Sequence, residues 1–239
     1  MIETFAALLF AHVLADFVLQ TRWMSDRKRH PAVLLAHGAV VLVTAQAALG
    51  RADAPELLAL AAAHLAIDTV KTYGGFTGIS GFLADQGAHL ATLVILAAIA
   101  PDLWAGGVWS GRLWLPATLT LVAGLILATR TGGMAVALLM QPYRDANLPN
   151  GLLNGGQLIG LLERGLIYLL VLVGQPAGVG FLIAAKSILR FDTTSRDQRA
   201  GEYVIIGTLA SFGWALVVAY ATLHLLSLLP PLEISAIAP

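Results

Sequence analysis

Cysteine is absent from the 239 residues, which excludes disulfides and any thiolate-held metal. Charge is scarce. Asp, Glu, Lys and Arg make up 12% of the chain, against roughly 25% in a soluble domain. No Walker loop, no dinucleotide fingerprint and no G-x-S-x-G occurs, and the basic residues form no groove-reading motif. No basic stretch precedes the first apolar run, which begins at Glu3. That run is therefore expected to stay in the chain instead of serving as a cleaved signal. The net charge is zero, so only the distribution of charge is informative.

Apolar residues fill the space that charge leaves. They make up 58% of the chain, and mean hydropathy is +0.79. Crossing a bilayer takes about 20 apolar residues. Eight runs approach that length: 2–20, 31–49, 57–73, 82–100, 113–131, 157–174, 177–191 and 203–228. The third is marginal and the seventh is short; seven spans result if 157–191 is partly re-entrant around GQPAGVG. The expected fold is an all-α polytopic transmembrane bundle. Of the 14 Lys and Arg, only Arg51 and Arg112 fall outside if RWMSDRKRH, between the first two runs, faces the cytoplasm. The positive-inside rule then puts both termini outside. Trp104, Trp109 and Trp114 in the loop after the fourth run read as an interfacial belt.

Two ionisable pairs interrupt the apolar runs. AHVLADFVLQ carries His12 and Asp16, and AHLAIDTVKT carries His64 and Asp68. The offset between the pairs is 52 residues, and His37 and His89 repeat it, as do Ala11/Ala63, Ala36/Ala88 and Ala45/Ala97. Residues 1–49 and 53–101 therefore read as two copies of a helical hairpin. Each copy has two spans, so both enter the membrane in the same sense, the parallel type of repeat. Residues four apart share a helix face, so each H-x-x-x-D projects an imidazole and a carboxylate together. Asp85 stands four before His89 and joins that face. Packed about a common axis, the copies bring four imidazoles and two or three carboxylates into the cytoplasmic half of the bilayer.

Such groups are costly in lipid and mark a functional site by default. His12, Asp16, His37, His64, Asp68 and His89 suit a divalent metal such as Zn, Mn or Fe. The competing reading is a set of His–Asp hydrogen bonds that glue helices together. Asp85 is a candidate base, or the group that orients His89; Glu163 is a second candidate catalytic acid. Lys71, Arg164, Lys186 and Arg190 are candidate anion-binding groups for a phosphate-bearing lipid. The copies differ where a substrate would break symmetry: Val33 stands opposite Asp85, and Leu19 opposite Lys71. His30, in a basic loop, and His224, near the end of the last run, are expected to take no part.

The chain thus divides into a duplicated half, 1–101, a fifth span with a Gly/Pro-rich cytoplasmic loop, 102–156, and a C-terminal half of three spans, 157–239. Residues 131–156, from TGG onward, read as the loop and hinge. AHVLADFVLQ, AHG, HLAIDTVK, DQGAH, GGQLIGLLERGLIYLLVLVGQ, GFLIAAKSILRF and AGEYVIIGTLASF together resemble an uncharacterised bacterial family of integral membrane proteins, domain-of-unknown-function family 3307. The resemblance is weakest over 101–150. Gln157 stands where many relatives are expected to have a basic residue, which weakens the anion clamp. The family implies a bacterial inner-membrane protein and brings no activity with it. Three functions compete: a metal-dependent hydrolase of a lipid or lipid-linked phosphate at the cytoplasmic leaflet, a divalent-metal or proton-coupled transporter, and a membrane scaffold with a structural His/Asp core.

Overall fold

The computed structural model describes residues 1–143, 154–194 and 198–232, with side chains except at 189–194. Nine helices of five residues or more, two short 3-10 turns (Pro101–Leu103 and Gln141–Tyr143) and no strands are found among these residues. They are α1 (Ile2–Leu19), α2 (Arg22–Asp26), α3 (Pro31–Leu49), α4 (Pro55–Gly74), α5 (Gly78–Ile99), α6 (Leu115–Leu139), α7 (Gly155–Leu172), α8 (Gly178–Thr194) and α9 (Gln198–Ser227). All eight apolar runs are helical. Six helices are long and apolar enough to cross a membrane: α1, α3, α5, α6, α7 and α9. The other two correspond to the marginal third run and the short seventh. The α4 helix has 20 residues but carries Glu56, Asp68 and Lys71. The apolar part of α8 ends at Ile188.

Helix boundaries follow ordinary chemistry. Pro31 and Pro55 open α3 and α4, where the missing amide proton has no cost. Gly50 and Gly75 close the same helices in the left-handed conformation, at φ 66° and 69°, which glycine adopts without strain. Thr21 caps α2 by accepting a hydrogen bond from the Met24 amide.

The chain forms two compact units, one of Met1–Ala123 with the stretch from His224 onward, the other of Gly124–Leu223. In the first, α1 packs on α3 and α5, and α4 packs on the same two helices, so the four close a ring. Ala7, Leu8, Ala45, Leu49, Leu57, Leu93 and Leu96 fill one end of it. The N-terminus is pinned to this end: Thr4 donates its hydroxyl to the Pro101 carbonyl at 2.7 Å and accepts the Trp104 amide. Trp104 is therefore buried in the core rather than belonging to an interfacial belt, while Trp109 and Trp114 are exposed. Leu35, Val43, Leu58, Val70 and Ile95 face outward, each about half exposed or more. Unpaired apolar side chains on so many helices suit a lipid surface better than water.

In the second unit, Ile167, Tyr168 and Val171 of α7 pack against Phe212, Ala215 and Ala219 of α9. Residues 131–139, expected in the loop, continue α6 as helix. The TGG glycines serve close packing instead: a Cβ at Gly132 would lie 2.6 Å from Trp214, and one at Gly133 2.9 Å from Arg164. Residues 144–153 of the expected hinge loop lie outside the described residues.

Candidate metal centre

The ring of four helices encloses the ionisable residues. The α1 helix widens into a π-turn over Ala15–Leu19, closed by the Gln20 amide on the Ala15 carbonyl at 2.9 Å. Such turns shift side chains off the regular helical face and recur at functional sites. This one carries Asp16. His12 and Asp16 come from α1, His37 from α3, His64 and Asp68 from α4, and Asp85 and His89 from α5. All are buried, His37 completely.

Three ligand atoms converge. His37 Nε2 and His64 Nε2 lie 3.1 Å apart, and Asp16 Oδ1 lies 3.3 Å from the first and 3.4 Å from the second. Zinc holds nitrogen and oxygen at about 2.0–2.2 Å, so the edge of a tetrahedral zinc site is about 3.3–3.5 Å. Yet Asp16 Oδ1, although so close to two imidazoles, has no hydrogen-bond partner, and His37 Nδ1 has none either. Among the described residues, the arrangement pairs the two imidazoles with each other and leaves the Asp16 oxygen, which faces both, without a partner. It departs from helix glue, in which buried polar groups satisfy one another.

Beside this trio lies a cavity of about 10 Å³, room for about one water. His12, His64 and His89 line it, with Thr92 and apolar residues including Leu8, Val41 and Leu93. His12, His64 and His89 also form a second group whose ligand atoms lie within 4.8 Å of one another; Asp68, Asp85 and His89 form a third. His64 and His89 are shared between groups.

The carboxylates differ in their compensation. Lys28 donates to both oxygens of Asp68 at 2.8 Å. Lys71 donates to Asp85 at 2.6 Å, and the Gln86 amide donates to the same oxygen at 3.0 Å. Asp85 sits 3.6 Å from His89, so it faces that imidazole as expected, but its short contacts go elsewhere. Among the described residues, Asp16 has only histidines as charge partners. With neutral imidazoles the cluster therefore holds one carboxylate more than it has ammonium groups. A surplus charge in a low-dielectric interior calls for a cation.

The other expected residues are brought together in a different place. Glu163 accepts from Lys186 at 2.7 Å within the second unit. Arg164 is buried there too; its Nε donates to the Thr129 carbonyl and its Nη1 to Ser211 Oγ. Thr129 belongs to another π-turn, Leu127–Thr131. The Arg190 side chain lies outside the described residues. Lys71, of the first unit, is engaged by Asp85. His30 and His224 are exposed and join none of the metal-ligating groups.

Sequence reasoning missed Lys28 and Gln86. Lys28 was legible as a positive-inside residue, and its short tether to the end of α1 placed it near the depth of the carboxylates. Gln86 adjoins Asp85 in DQGAH; its Oε1 lies 3.3 Å from His12 Nε2.

An all-helical bundle with six helices long and apolar enough to cross a membrane, and a buried histidine–aspartate cluster, is the class that fold and site define. Residues 4–105 match the model of a family described as "Protein of unknown function (DUF3307)". That stretch covers α1 from residue 4, all of α2 to α5 and every residue of the centre; the motifs of α7 to α9 lie beyond it. No curated protein and no solved structure matches the chain.

Proposed function

We propose that the first unit is a membrane-embedded, metal-dependent hydrolase centre acting on a lipid or lipid-linked phosphate. The observation that carries the metal is the Asp16/His37/His64 trio, with edges of 3.1–3.4 Å and an Asp16 oxygen that has no hydrogen-bond partner among the described residues. Two histidines, one carboxylate and an adjoining water-sized cavity match the pattern of catalytic zinc, in which three protein ligands leave a fourth position for water. Zinc in such a site lowers the pKa of that water to about 7 and so supplies a nucleophile at neutral pH. His12 and His89 border the cavity and are available to the water.

In this reading the two hairpins are copies of one ancestor. The His12–His89 and His37–His64 ring centroids, which exchange under the 52-residue offset, are 5.2 and 5.1 Å apart. The protein sits in a bacterial inner membrane with residues 20–30 on the cytoplasmic side, a sidedness supported by the Lys and Arg bias.

A second reading, transport of a divalent cation, draws on one observation. His64 lies at the middle of α4, and midplane sites are typical of carriers. Reconstituted vesicles separate the two. Zinc-loaded protein should release inorganic phosphate from phosphatidic acid or a polyprenyl phosphate, and His37→Ala should not. Zinc flux into indicator-filled vesicles without phosphate release would replace hydrolysis by transport.

A further inference from the structure

Lys28 reaches the cluster from the segment between α2 and α3. Its side chain is 14% exposed and its ammonium bridges both oxygens of Asp68. The segment is fixed over the end of α4, where Tyr73 donates its hydroxyl to the Arg29 carbonyl at 2.9 Å. Asp68 is otherwise placed as a ligand. Its Oδ2 lies 3.5 Å from His37 Nε2 and 3.7 Å from His64 Nε2, the same two nitrogens that meet Asp16. These separations reach or slightly exceed the tetrahedral edge of about 3.3–3.5 Å. Asp68 thus stands beside the same two imidazoles as Asp16, a few tenths of an ångström farther from each, and held by a lysine.

We propose that Lys28 is a tethered competitor of the metal, holding Asp68 out of the coordination shell so that the centre keeps three protein ligands and one open position. The inference rests on the metal reading above and names the residue that decides what kind of site it is. With Lys28 engaged, Asp68 is neutralised and the ion meets a single free carboxylate. With Lys28 withdrawn, two imidazoles and two carboxylates neutralise a divalent ion and close its shell. Four protein ligands make a structural zinc site, and three with a vacancy make a reactive one. Lysine suits the task, since its ammonium is a compact charge on a flexible stem.

The test is a zinc competition titration on the full chain in detergent. Wild type should bind zinc at the trio. Lys28→Met should bind it at least about tenfold tighter, because Asp68 becomes a ligand. Asp68→Asn should stay within about threefold of wild type, since Asp68 is already withheld, and Lys28→Met/Asp68→Asn should return to that level. Unchanged or weaker binding by folded Lys28→Met overturns the proposal. So does a loss of about tenfold or more in Asp68→Asn, which retains Lys28 and tests the same point in the opposite direction. Wild type that binds no zinc overturns the metal reading and this inference with it.

Discussion

Asp16 and Asp68 occupy equivalent places in the two hairpins, four residues beyond equivalent histidines, yet their surroundings differ. Among the described residues, Asp16 is met only by His12, His37 and His64. Asp68 is met by Lys28 as well as by histidines, and its neighbour Asp85 by Lys71. One half of the cluster is neutral as built; the other carries a charge that only a bound cation or a proton balances. The lesson is that an internal repeat supplies ligands in pairs, while counter-charges that break the repeat decide which of them stay available. Leu19 and Val33 stand where the second copy has Lys71 and Asp85, so that ion pair has no counterpart in the first copy, and the first copy's Lys28 is turned to Asp68 instead of Asp16.

The largest expected effect separates the halves directly. Asp16→Ala or His37→Ala should weaken zinc binding by more than about 100-fold, whereas Asp85→Ala should cost less than about tenfold, read by competition titration. Equal losses at all three positions would remove the distinction. Lys71→Met should come next. It leaves Asp85 without its ammonium and should lower stability by about 1–3 kcal/mol in a reversible unfolding titration, the cost being reduced because Lys71 is about one-third exposed. An unchanged midpoint would mean that Gln86 alone satisfies Asp85.

Smaller effects extend the contrast to the second unit, where Arg164 is buried with neutral acceptors and packed against glycines. Gly133→Ala puts a methyl 2.9 Å from Arg164 Nη2 and should cost about 1–3 kcal/mol. Gly87→Ala, on α5 with nothing within 4 Å of the new Cβ, should be neutral or stabilise by about 0.5–1 kcal/mol. Thermal melts of the pair test whether close packing or helix propensity dominates at each. His224→Ala should leave zinc affinity unchanged within about threefold, and a marked loss would bring that residue into the centre.

Much of the centre was legible in the sequence because helical spacing is a strong constraint. His12 and Asp16, His64 and Asp68, and Asp85 and His89 each share a face by their four-residue separation, and the 52-residue offset tied the hairpins together. The residues that compensate the carboxylates were less legible. Lys28 lies between α2 and α3, where no periodicity predicts which way a side chain turns. Lys71 was assigned to a substrate because nothing in the spacing showed that α4 and α5 bring it to Asp85. The helical course of residues 131–139 was obscured for a related reason: glycines that make room for Trp214 and Arg164 read, in one dimension, as a loop. Span count was limited by composition, since the His64 and Asp68 that α4 buries also lower its hydropathy.

The most direct test of the central claim is the metal content of the detergent-purified chain by mass spectrometry, with X-ray absorption at the zinc edge, for wild type beside Asp16→Ala/His37→Ala. The account predicts near-stoichiometric zinc in wild type, bound to imidazole nitrogen and carboxylate oxygen at about 2.0–2.2 Å, and its loss from a variant that remains folded. Wild type that stays empty after loading with zinc, manganese and iron, or a double variant that retains its metal, would contradict it.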